Sequence, residues 1–130
     1  MYYSPARPVG IGQQYRSVDV SSKVEGASPH RLVSILYEEL IQAMALMKQA
    51  VRKGDTMRRN SAGTRALMLV QALDSSLDFD KGGEVARALR TVYGEARRLL
   101  GLGSKENDVD AIGRAQGMIG ELAEAWTAIG

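Results

Sequence analysis

The feature that most constrains this chain is a single apolar stripe with a marked start and a marked stop. Val33, Leu36, Leu40, Met44, Met47 and Val51 recur at spacings of three and four residues, which puts them on one face of an α-helix. Leu32, Ile35, Leu46 and Ala50 widen the stripe, so this helix needs cover from more than one neighbour. Ser28 and Pro29 stand at its start. A serine hydroxyl accepts a hydrogen bond from a free N–H of the first turn, and proline fits the first helical position. Arg52 and Lys53 suit the negative helix end, and Gly54 suits the position just past it. Asp55 follows at once as the N-cap of a second helix. A connection this short makes the two helices antiparallel.

The second helix carries Met57, Ala66, Leu67, Leu69, Val70, Leu73 and Leu77. Asp78 to Gly83 breaks it. A third helix follows through Val85, Leu89, Val92, Ala96, Leu99 and Leu100, and Gly101, Gly103 and Ser104 are expected to stop it. Asp108 caps a fourth, with Ile112, Ala115, Ile119, Leu122, Trp126 and Ile129 on one face. No segment alternates as a strand would, and no internal repeat is evident. Aromatic residues are only 5% of the chain, too few for a β-sandwich. The expected fold is all-α: an antiparallel up-down four-helix bundle over residues 28–130. Residues 1–27, with Pro5, Pro8, Gly10, Gly12 and Gly26, read as a flexible N-terminal arm with room for one short helix. Gly113, Gly117 and Gly120 fall inside the fourth helix, each costing about 1 kcal/mol against alanine if exposed. They either allow close helix approach, leave a shallow groove, or let the helix fray.

Catalytic equipment is sparse. The 130 residues contain no cysteine and one histidine, His30, which removes thiolate chemistry, cysteine-based zinc sites and histidine relays. Asp78, Asp80, Gly83 and Glu84 have a superficial likeness to a calcium loop. In that register, however, the fifth position is Gly82 and the twelfth is Leu89, where a bidentate glutamate is needed. Glu38 and Glu39 are adjacent on a helix and diverge by about 100°. Ser28 has a capping role and no base beside it. No catalytic, cofactor-binding or metal-binding residue is therefore expected, and no cofactor. His30, in the first turn of a helix, reads as exposed, capping, or hydrogen-bonded to the arm or a partner.

Charge is nearly balanced at +2, but unevenly spread. Residues 1–65 hold ten basic and five acidic residues, and residues 66–130 hold seven and ten. The run Arg52, Lys53, Arg58, Arg59 and Arg65 can contact phosphates or form a solvated helix end; the overall balance argues against a dedicated nucleic-acid binder. No run approaches the roughly 20 apolar residues of a membrane helix. The N-terminus lacks the pattern of a secretory signal, so a cytoplasmic protein without membrane insertion is expected.

The order of several short motifs resembles one family. Ala27-Ser28-Pro29-His30-Arg31-Leu32-Val33 followed by Leu36-Tyr37 is similar to the start of the flagellar secretion chaperones (FliS). Gly54-Asp55, Leu77-Asp78, Gly82-Gly83-Glu84, Val92-Tyr93, Asn107-Asp108 and Trp126 follow in the family's order, and Tyr15 matches an aromatic of its arm. The resemblance spans residues 13 to 129. Gly94 departs from it, since an acidic residue commonly follows the tyrosine. The resemblance implies a helical bundle that binds the disordered C-terminal segment of flagellin in the cytosol. It implies further that the bundle blocks premature polymerisation and assists delivery to the flagellar type III export apparatus. A helical adaptor for a flagellar regulatory protein, or for another export protein, is the alternative; a small nucleic-acid-binding bundle is a remoter one.

Candidate client-binding residues are those on secondary apolar stripes: Leu32, Ile35, Tyr37, Met44 and Met47, with Tyr15 and Val18 of the arm as a cover for the empty groove. Methionine adapts to irregular surfaces, although methionines at helical spacing also build cores, and Tyr15 can equally be a permanent core residue. Ser28, Pro29, Gly54, Asp55, Gly82, Gly83 and Asp108 read as caps and turns, and Trp126 as a packing anchor.

Overall fold

The computed structural model describes residues 24–130. The expected arm falls mainly, and Tyr15 and Val18 fall wholly, outside the described residues. The described chain forms four α-helices: α1 (Pro29–Lys53), α2 (Thr56–Ser75), α3 (Phe79–Glu106) and α4 (Val109–Ala128). The helices are antiparallel and ring the core: α1 packs on α2 and α4, and α3 packs on the same two. The all-α bundle is the fold anticipated above.

Every helix starts the same way. The side chains of Ser28, Asp55, Asp78 and Asp108 each accept from the backbone N–H three residues on, at 3.0–3.1 Å. Each thereby satisfies one donor that the first helical turn leaves free. The α1–α2 corner is especially economical. Gly54 adopts the left-handed conformation (φ 68°), which costs glycine little because it has no Cβ. Its N–H bonds the Val51 carbonyl at 3.1 Å, and the Asp55 N–H bonds that of Ala50 at 2.9 Å. These are the paired bonds of a Schellman ending. One dipeptide thus closes one helix and opens the next.

Two boundaries differ from expectation. The segment from Phe79 to Gly82 is a helical turn belonging to α3, kinked from the rest at Gly83 (φ 50°, ψ −124°). Gly101 and Gly103 do not stop α3, which continues to Glu106 and ends at Asn107 in the left-handed region (φ 53°). The reason is packing. A Cβ on Gly103 would overlap Ile112 Cγ1 and lie 2.7 Å from its Cδ1. Gly103 therefore lets α4 approach the last turns of α3, and that contact outweighs glycine's poor helix propensity.

Leu36, Leu40, Met44, Leu69, Leu73, Leu99, Leu100 and Ile112 are fully buried in the core. Two contacts span the ring from α1 to α3. The tip of Met47 lies 3.2 Å from where a Cβ would stand on both Gly63 and Gly103, so it fills space that two glycines leave open. Near the other end the Tyr37 and Tyr93 hydroxyls are 2.7 Å apart and buried.

The seam between the first and last helices is fastened at its end. The His30 and Trp126 rings stack with centroids 4.5 Å apart and planes 7° apart. Trp126 Nε1–H donates to the His30 carbonyl at 2.9 Å, and His30 Nε2–H donates to the Trp126 carbonyl at 2.8 Å. Trp126 is thus an anchor, and His30 is its partner. Further along, Gln116 Nε2–H donates to the Ile41 carbonyl at 3.3 Å. The glycines of α4 do not serve close approach here. A Cβ on Gly117 or Gly120 meets nothing within 4 Å, and one on Gly113 makes only ordinary contact with Lys48.

On the opposite side Asp74 of α2, largely buried, faces Arg90 Nε at 3.5 Å and Arg97 Nη1 at 3.8 Å on α3. Arg90 also lies over the Phe79 ring, 4.4 Å from its centroid. Among the described residues, no helix is long and apolar enough to cross a membrane.

Candidate binding groove

On the outside of the α1–α2 hairpin runs an open groove of about 570 Å³. One wall comes from α1, where Glu39, Gln42, Leu46, Gln49 and Lys53 fall three or four residues apart on one outer stripe. The other wall is Asp55, Arg58, Ser61 and Arg65 at the corner and along α2. The floor is made of small side chains: Ala43, Ala50 and Ala62. Methyl groups there cannot fill the space between two helices, so depth remains. Leu46 stands midway along the groove, 52% exposed.

Charge frames this apolar centre. Arg65 Nη2 donates to Glu39 Oε1 at 3.0 Å and closes one end. At the other, Arg58 Nε lies 3.4 Å from Asp55 Oδ2, and Lys53 is exposed. Arg59 turns away from the groove and donates to Asn107 Oδ1 at 2.8 Å and to Asn60. Of the basic run noted in the sequence, Arg58, Arg59 and Arg65 are therefore divided among separate acidic and amide partners, while Arg52 and Lys53 are exposed. Glu38 and Glu39 diverge as their spacing requires: Glu38 pairs with Arg31 at 3.0 Å, Glu39 with Arg65.

The structure distributes the other sequence-derived candidates unevenly. Leu32 is half-buried against the core. Ile35, Tyr37, Met44 and Met47 are at most 2% exposed; in this conformation they support the bundle from inside and none lines the groove. Leu46, counted in sequence as part of the inward stripe, points outward instead. Its signal was present: Gln42 and Gln49 lie four before and three after it, so Leu46 interrupts a polar stripe. Asp78 caps α3, and among the described residues no group of three or more His, Cys, Asp or Glu is placed to hold a metal ion.

A helical bundle with an open, apolar-centred groove is the form of a binding protein, and comparison with known proteins says of which kind. Residues 11–130 match the family described as flagellar protein FliS, and the chain belongs to that family. It is 33% identical over 116 residues to the flagellar secretion chaperone FliS of Salmonella typhimurium, covering 88% of this chain and 86% of that one. Against the FliS chaperone of Campylobacter jejuni it is 35% identical over 99 residues, covering 76% and 77%. For that of Vibrio cholerae the figures are 28% over 120 residues, 92% and 88%. The resemblance drawn from the Ser28–Tyr37 and Asn107–Trp126 motifs is thus confirmed.

Proposed function

We propose that this chain is a cytosolic export chaperone. It binds the disordered C-terminal segment of flagellin, holds it from premature polymerisation, and assists its delivery to the flagellar type III export apparatus. Family membership supports this reading. The observation that carries it to a site is the α1–α2 groove, where small floor residues and Leu46 leave room for the apolar ridge of an amphipathic helix. A disordered segment that folds as it binds loses ordering entropy in doing so. That keeps affinity moderate for the surface covered, which suits a client that must later leave. Binding and release require no reactive side chain and no cofactor.

The test is a titration of the full chain with a synthetic peptide of the flagellin C-terminal segment, followed by circular dichroism and calorimetry. A complex of one stoichiometry, with more helix than the two components sum to, is expected. No heat and no gain in helix would overturn the proposal.

A further inference from the structure

The seam between α2 and α3 holds a cluster of charges, none of whose residues lines the α1–α2 groove. Arg87, Arg90, Gly94 and Arg97 follow one another along α3 at spacings of three and four, which sets them on one face of the helix. Asp74 of α2 stands across from them, so two guanidiniums share one carboxylate. Arg87 is exposed and makes no ion pair among the described residues. The face carries more cation than its own acid neutralises.

The two arginines beside Asp74 are held unequally. Arg90 is fixed from two directions: its guanidinium lies 4.4 Å from the centre of the Phe79 ring, and its Nε–H donates to Asp74 Oδ1 at 3.5 Å. Arg97 Nη1 stands 3.8 Å from Asp74 Oδ2, beyond hydrogen-bond reach. That atom is buried and donates no hydrogen bond among the described residues. A buried N–H without an acceptor has lost its hydration and gained nothing in return, so Arg97 gains by turning outward. The way is open. Its side chain is 36% exposed, and beyond the adjoining helix backbone a Cβ on Gly94 would meet only Arg97 Nη2, at 3.9 Å.

The complement of this face is a carboxylate. A guanidinium holds one through two parallel N–H···O bonds, and Asp74 is already shared. An outside carboxylate over Gly94 receives Arg97, satisfies the donor now buried, and leaves Asp74 to Arg90. The notch is the size of the side chain that glycine lacks. A run of phosphates extending past it would meet Asp80 and Glu84, exposed acids in the preceding turns of α3, and be repelled. A single acidic side chain meets no such conflict.

We propose that Arg97, supported by Arg90, is a docking point for an aspartate or glutamate of a partner protein, received at Gly94 on the α2–α3 seam. It is a contact surface separate from the groove, and it does not depend on the chaperone reading.

The experiment follows the arginine Nε–H resonances and the Gly94 amide of the full ¹⁵N-labelled chain during titration with hexaglutamate at low salt. Saturable shifts at Arg97 and Gly94, larger than at Arg58 with its 84% exposed side chain, are expected. Equal shifts at Arg58 mean general attraction between opposite charges, and overturn the proposal. Inorganic phosphate at the same charge concentration is the second arm. A response as strong as that to the peptide makes this an unselective anion site and overturns the choice of an acidic protein side chain. Arg97→Gln should keep its helical circular dichroism, because Asp74 retains Arg90, and should bind the peptide about threefold to tenfold more weakly. Gly94→Glu sets a carboxylate one turn before Arg97 on the same face. It should move the Arg97 Nε–H resonance as the peptide does, and block the peptide. Binding to either variant as tight as to the parent chain overturns the proposal.

Discussion

Gly103 and Gly117 show how the same residue carries opposite meanings in neighbouring helices. Gly103 is buried against Ile112, whose Cγ1 a new Cβ would overlap, while Gly117 faces open space. Gly103→Ala is expected to destabilise by about 1–3 kcal/mol through overpacking. Gly117→Ala should stabilise by about 0.5–1 kcal/mol, because alanine loses less backbone entropy in a helix. Paired chemical-denaturation curves check both, and equal signs would contradict the packing described. His30→Ala removes a stacked ring and a hydrogen bond, together about 1–3 kcal/mol. Because the chain has one tryptophan, its emission should shift to the red as the indole loses cover. An unmoved spectrum would mean the stack matters little. None of these roles was legible from the residues alone. Glycine in a sequence states that a Cβ is missing but not what occupies the vacancy. His30 and Trp126 are 96 positions apart, and no local pattern links them. Tyr37 and Tyr93 escape sequence reasoning for the same reason.

At the scale of elements the sequence was far more informative, because helix ends are written in local chemistry. Ser28-Pro29, Gly54-Asp55 and Asp108 sit where the helix ends lie. What escaped was the end of α3, since Asn107 is a weaker sign of a left-handed residue than the glycines before it. The Gly54-Asp55 corner makes a sharp prediction. Gly54→Ala forces a Cβ into the left-handed region, and Asp55→Ala removes the α2 cap; each should cost about 1 kcal/mol. Their effects should fail to add in a double-mutant cycle, as both act on one turn. Strict additivity would show that the two helix ends are independent. On α3, Glu95 accepts from Arg98, and this hydrogen bond holds its carboxyl below the ordinary value. Any contribution is present above that ordinary value and lost as pH falls through the lowered one. The pair lies at the surface, where solvent screens it. Glu95→Gln should therefore leave the thermal midpoint unchanged at pH 7; a clear drop would reveal a structural role for the pair.

Taken whole, the described part of the molecule joins a filled interior to an open external groove. The interior explains why apolar residues at helical spacing do not mark the groove: Met44 and Met47 complete the core, and the exposed leucine among the described residues, Leu46, is the one flanked by glutamines. A client that binds only the folded bundle must also stabilise it. With free peptide at a hundred times its dissociation constant, stability should rise by about 2.7 kcal/mol, read as an upward shift in thermal midpoint that grows with peptide concentration. A midpoint indifferent to peptide would show that folded and unfolded chains bind it alike. Finally, the fastening of α4 to α1 means that the helical ring closes on itself. Gly130 abuts the imidazole of His30, the second residue of α1. A short linker from Gly130 to Ser28, with the chain reopened at the Asn107 corner, should give a circular permutant in which the four helices keep one another as neighbours, checked by its helical circular dichroism and cooperative unfolding. The architecture is then a property of the cycle of four helices, indifferent to which of them is synthesised first.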